Sequence, residues 1–181
     1  MRIGIDIDDT ITNTQAMIDL IASREERKIY DETKHWFYER YNCSKEEDEQ
    51  FIRKYVEEFM ANAEVKEGAP HYIKKLHDEG HSIYIITARS DYYSPNVMDI
   101  TLDYLAKNDI VYDKIIFKCI SKNDICKENN IDLMIDDSVE HIEDIKKDGI
   151  EVIIMDKTYN RGVDGTRATS WKEVYEIING R

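Results

Sequence analysis

Three carboxylates and a hydroxyl crowd into five residues near the start of the chain, Asp6-Ile7-Asp8-Asp9-Thr10, directly after the short, mostly apolar run Arg2 to Ile5. An apolar run that breaks off into acids is how a buried parallel strand ends at its functional edge. Left alone, Asp6, Asp8 and Asp9 would repel one another at the mouth of a low-dielectric core, so a cation or shared protons must compensate them. Mg²⁺ is the first candidate, because it takes hard oxygen ligands. The simpler alternative is a solvated turn, since Asp and Thr both favour turns and helix caps. A calcium loop is set aside, because Ile11 and Met17 fill the places of its glycine and its last glutamate.

More chemistry-bearing residues follow. Thr87-Ala88-Arg89 and Asp136-Asp137 each end an apolar run, Lys122 lies between them, and Arg161 follows a later run. Each has an ordinary reading: Thr87 as a turn residue, Lys122 as a surface charge, the paired acids as a helix cap, either arginine as a surface ion pair. All of them at one edge of one sheet is not what caps alone would produce.

The elements that must position them follow from the periods of the sequence. From Gly68 onward strand and helix alternate. Strands are expected over 81–87, 114–117, 131–135 and 151–155, and helices from Pro70 to Gly80, from Ser94 to Leu105, over 122–129, from Ser138 to Asp148 with Gly149 as its stop, and over 170–178. This predicts an α/β, Rossmann-like sheet of five parallel strands flanked by helices, with functional loops at the carboxyl ends of the strands. Between Thr10 and Gly68 the period is helical. Met17, Leu20, Ile21 and Ile29 predict one helix and its continuation, and Ser44 to Met60 a second, with Ser44 and Glu47 as a capping box. Trp36, Phe37, Tyr38 and Tyr41 form an aromatic cluster that could stack on a base but reads first as the core of this insert. The expected organisation is a core of residues 1–12 and 68–181 carrying a small all-helical cap, residues 13–67.

With 25 basic and 38 acidic side chains among 181 residues, the net charge is −13 and the pI near 4.8. That argues against a nucleic-acid polymer or an anionic membrane as partner, and leaves room for a small anionic substrate where a metal and a few cations reverse the field. Cys43, Cys119 and Cys126 are an odd set without metal spacing, expected as reduced thiols of a cytoplasmic protein. No run approaches transmembrane length. Monomer and homodimer both remain open.

Taken together, Asp6-Ile7-Asp8-Asp9-Thr10, Thr87, Lys122 and Asp136-Asp137 resemble the signature of the haloacid dehalogenase (HAD) superfamily of phosphotransferases, and the helical insert resembles its type-one cap. Ile86-Thr87-Ala88-Arg89, Met134-Ile135-Asp136-Asp137 and Asp156-Lys157-Thr158-Tyr159-Asn160-Arg161 are similar to the 5′(3′)-deoxyribonucleotidase branch and its bacterial relatives. The resemblance implies a Mg²⁺-dependent phosphomonoester hydrolase acting through an aspartyl-phosphate, with a nucleoside monophosphate as substrate. Asp6 would be the nucleophile and Asp8 the acid and base, its pKa raised by neighbouring carboxylates. Thr87 and Lys122 would hold the phosphate, with Lys127 an alternative lysine; Ala88, Arg89 and Arg161 would contact substrate. Mg²⁺ would be held by Asp6, the Asp8 carbonyl and Asp137, with Asp136 in support. The alternatives are a sugar-phosphate phosphatase and a non-catalytic phosphate-binding protein. A receiver domain of bacterial signalling is disfavoured by the order of its acids and lysine and by the long insert.

Overall fold

The structure, a computed structural model, describes residues 1–119 and 121–180. Strand β1 (Arg2–Ile5) lies inside a parallel sheet, paired with β2 (Ser82–Ile86) on one side and β4 (Leu133–Asp136) on the other. Gly4 lets the sheet pack closely there: a Cβ on it would come within 2.6 Å of the Met134 sulfur, which would have to shift. Beyond these lie β3 (Lys114–Ile116), β5 (Glu151–Met155) and β6 (Thr166–Ala168), giving the order β3-β2-β1-β4-β5-β6. The sheet thus has six strands where five were expected. The sixth, Thr-Arg-Ala, carries no hydrophobic period and is a strand through its backbone pairing with Ile153, Ile154 and Met155.

Side chains alternate faithfully between the two faces. Ile83, Ile85, Leu133, Ile135 and Ile153 pack under α4 (Ala69–Asp78), α5 (Val97–Lys107) and α8 (Trp171–Asn179). Ile86, Met134, Val152 and Ile154 face α6 (Lys122–Glu128) and α7 (Val139–Lys146). Period-two burial on both faces is the mark of a parallel sheet between helical layers.

The insert after β1 holds α1 (Thr14–Arg24), α2 (Phe37–Arg40) and α3 (Lys45–Asn62). The expected continuation of α1 to Ile29 does not form. The helix stops at Arg24, Glu26 turns left-handed at φ 58°, and Ile29 is 46% exposed, so no buried face rewards further turns. The Ser44–Glu47 capping box is present, and Phe37, Tyr41, Phe51, Val56 and Phe59 form a small core that Val97 of α5 joins. Both chain crossings into the insert are tied together: Asn13 N donates to Glu64 O at 2.8 Å and Lys66 N to Ile11 O at 2.7 Å. Among the described residues no helix is long and apolar enough to cross a membrane.

Candidate active site

The loop after β1 coils around one carbonyl. Ile7 O accepts from the backbone N–H groups of Thr10, Ile11 and Thr12 at 2.8–3.2 Å, and Asp9 takes a left-handed φ of 55°, which Asp tolerates better than most residues. Ile7 and Ile11 anchor the coil in the core, and Asp6 N donates to Ile135 O at 3.0 Å. The sequence therefore brings Asp6 and Asp136 side by side at the carboxyl ends of adjacent strands.

Lys122 completes that pair. The first residue of α6, it is fully buried, and its Nζ donates to Asp6 Oδ1 at 2.6 Å and to Asp136 Oδ2 at 2.7 Å. The reading of Lys122 as a surface charge does not hold. Lys127, the rival, is exposed and pairs with Asp148 and Asp124. Burial raises the Asp6 carboxyl to about 7, against the pull of Lys122 and with the help of Asp136 and Asp8. Burial raises Asp137 too, with Asp6, Asp136 and Asp9 adding to it. Lys122 stays protonated despite its burial because both carboxylates favour its charge.

Asp8 departs from expectation. Burial pushes its carboxyl up, but Arg89 outweighs this and holds it below the ordinary value, with help from the Thr14 hydroxyl at 2.7 Å. Arg89 donates to both Asp8 oxygens, at 2.9 and 2.7 Å, and to Thr101 Oγ1 at 3.1 Å. The expected raising by neighbouring carboxylates is thus overturned by a guanidinium that the sequence left unassigned to any acid. The Arg89 side chain is 1% exposed, and Asp8 and Thr101 hold three of its five N–H donors.

A cavity of about 320 Å³ opens on these groups, lined by Asp6, Asp8, Asp9, Ala88 and Asp137 from the core and by residues of the insert, including His35 and Trp36. Thr87 sits behind it, fully buried, its hydroxyl accepting from Arg89 N at 3.2 Å. Arg161 is not brought there: its side chain is 68% exposed, 3.7 Å from Asp156, and it lines a neighbouring cavity. Several residues of the site escaped the sequence reading. Asp137 accepts from Thr10 Oγ1 at 3.0 Å and from the Tyr159 hydroxyl, and Asn160 donates to its carbonyl at 2.8 Å. Lys157 pairs with Asp9 at 2.6 Å. The run Asp156 to Arg161 held the signal for Lys157, Tyr159 and Asn160, whereas His35, whose ring packs on Tyr159 with centroids 4.5 Å apart, carried none.

Asp6, Asp136 and Asp137 each offer a carboxylate oxygen, all within 4.8 Å of one another. Such an all-oxygen anionic set fits a hard divalent cation of the Mg²⁺ kind.

The chain is 30% identical over 185 residues to a nucleotidase from Clostridium acetobutylicum, covering 99% of this chain and 94% of the other. It is 26% identical over 184 residues to a Chlorobaculum tepidum protein provisionally named a 5′(3′)-deoxyribonucleotidase, with coverages of 97% and 89%. In fold it is similar to the crystal structure of a predicted phosphatase from Clostridium acetobutylicum, with a TM-score of 0.64, 18% identity, and coverages of 99% and 98%. The profile of the family described as 5′ nucleotidase, deoxy (pyrimidine), cytosolic type C protein matches residues 1–181, and the chain belongs to this family.

Proposed function

We propose that the protein is a Mg²⁺-dependent phosphomonoesterase for nucleoside monophosphates, acting through an aspartyl-phosphate on Asp6. The observation that carries this reading is the buried Asp6–Lys122–Asp136 chain behind the cavity, which Asp6 and the adjacent Asp137 line. Lys122 keeps Asp6 oriented and ionisable in a site where burial alone would protonate it. Phosphomonoester hydrolysis asks for accelerations of up to on the order of 10²¹, so positioning, charge compensation and proton transfer must act together.

In the first step an Asp6 oxygen attacks phosphorus while the bond to the leaving oxygen breaks, and Asp8 delivers a proton to that oxygen. In the second, water attacks the same phosphorus, Asp8 takes its proton, and inorganic phosphate leaves with the Asp6 carboxylate restored. Asp8 can carry a proton only when Arg89 releases it, so the clasped arrangement is the resting one. Lys122 offsets charge on the transferring group, with Thr87 beside it at the end of β2. When bound by Asp6, Asp136 and Asp137, Mg²⁺ supplies further charge neutralisation.

Residues 13–67 act in this reading as a cap over the cavity. Trp36 Nε1 donates to Glu140 at 3.2 Å and Thr158 Oγ1 to Glu32 O at 2.9 Å, two hydrogen bonds that join the insert to the core. Three free thiols support a reducing, cytoplasmic setting. The test is inorganic phosphate release from deoxy- and ribonucleoside monophosphates and sugar phosphates, with Mg²⁺ and with chelator. Metal-dependent release led by the nucleotides supports the reading, and a lead by sugar phosphates would move it to a metabolite phosphatase.

A further inference from the structure

The acids at the strand ends differ in what faces them. Lys122 stands against Asp6 and Asp136, Arg89 against Asp8, and Lys157 against Asp9. Asp137 has no such cation. Among the described residues its side chain accepts only from hydroxyls, Thr10 Oγ1 at 3.0 Å on one oxygen and Tyr159 on the other. A lysine or arginine in their place would neutralise the charge that attracts a metal ion, whereas a hydroxyl fixes the direction of the carboxylate and leaves its charge in place.

Tyr159 belongs to a single 3₁₀ turn, Thr158–Asn160, and each of the three residues makes a separate tie. Asn160 Nδ2 donates to the Asp137 carbonyl at 2.8 Å and to Met155 O at 2.9 Å, which fastens the turn to the main chain of the acid itself. Thr158 Oγ1 donates to Glu32 O at 2.9 Å, in the segment of the insert that carries His35. Between these two ties the Tyr159 ring meets the His35 ring edge to face, with centroids 4.5 Å apart. Tyr159 therefore touches Asp137 with its hydroxyl and the insert with its ring.

We propose that Tyr159 is a positioning residue for the metal site: it orients Asp137 without neutralising it, and through His35 it makes cation affinity depend on the seating of the insert. Cation binding and insert docking then favour each other. This inference rests on the metal-dependent reading above.

The probe is Mn²⁺, which shares the preference of Mg²⁺ for oxygen ligands. The experiment measures its dissociation constant by electron paramagnetic resonance, without substrate, in the unmodified protein, in Tyr159→Phe, in His35→Ala and in the double variant. Tyr159→Phe should weaken Mn²⁺ binding about tenfold or more. His35→Ala removes no hydrogen bond to the acids, yet should weaken binding about threefold by freeing the Tyr159 ring. Added to Tyr159→Phe it should cost nothing further, because a phenyl ring no longer bears on Asp137. A merely structural role lowers the metal-free melting temperatures and leaves the dissociation constants alone. Unchanged affinity in Tyr159→Phe, or effects of the two substitutions that simply multiply, would overturn the inference and leave the metal-dependent reading standing. A folded, unmodified protein that binds no Mn²⁺ would overturn both.

Discussion

Arg89 grips both carboxylate oxygens of Asp8, from Nε at 2.9 Å and from a terminal nitrogen at 2.7 Å. The consequence is that the residue cast as the proton donor rests in its ionised form, and its release is a step of the reaction. Lysine, a point charge, cannot reproduce the two-point grip. Arg89→Lys should cost about 2 kcal/mol of stability by urea denaturation, as for other hydrogen bonds to charged groups. Although a looser grip lets Asp8 take up a proton more readily, it also leaves the carboxyl without its two-point orientation, so nucleotide hydrolysis should slow about tenfold or more, while p-nitrophenyl phosphate, whose leaving group needs no proton, loses less. Equal losses on the two substrates would separate Arg89 from the acid step.

Lys122 and Lys127 share a helix and differ in everything else. Lys122→Met leaves Asp6 and Asp136 facing each other in the core without a cation, which should cost about 3–5 kcal/mol and abolish phosphate release. Lys127→Met removes only exposed pairs, and should leave both the denaturation midpoint and turnover unchanged.

The raised carboxyls make metal binding and pH inseparable. Without metal, the folded state holds a proton on Asp6 up to about 7, whereas the unfolded chain releases it near 3.8. Between those values the folded state binds more protons, so metal-free stability should fall as pH rises. Mg²⁺ competes with those protons, so it should raise the melting temperature more at pH 8 than at pH 5. Thermal melts with Mg²⁺ and with chelator at the two pH values decide this; an equal shift at both would contradict it.

Within the insert, Asp19 accepts from Arg40 at 2.9 and 2.7 Å and from the Tyr41 hydroxyl at 2.6 Å, joining α1 to α2. Burial opposes its ionisation, yet these donors depress its carboxyl below 3.8. A depressed folded pKa gives stability that is fully present above 3.8 and lost as pH falls through the folded value. Asp19→Asn should therefore destabilise the protein by about 1–2 kcal/mol at neutral pH and flatten its acid-side loss, measured by denaturant titration at pH 7 and at pH 3.

How much of this could be read from residues alone depended on whether a local pattern carried it. Strands β1, β2, β4 and β5 announced themselves as apolar runs, and Ser44 and Glu47 announced α3. Strand β6 did not, because three residues held by backbone pairing have no period to display. The meeting of Asp6 and Asp136 was legible from topology, since both lie at the carboxyl ends of adjacent strands, whereas Lys122 entered through the family resemblance with Lys127 left open beside it. The grip of Arg89 on Asp8 was not. It joins residues 81 apart through side-chain geometry, and it reversed the expected direction of the Asp8 pKa. His35 was equally hidden, because only the folding of the insert over the core turns it toward the cavity.

The central claim is that phosphate passes through Asp6, and the most direct measurement is to trap it. Borohydride added during turnover with Mg²⁺ reduces an aspartyl-phosphate to homoserine, which peptide mass spectrometry locates. The account predicts homoserine at position 6, dependent on substrate and metal and absent from Asp6→Asn. Rapid phosphate release with no modification at position 6, or with homoserine at another aspartate, would contradict it.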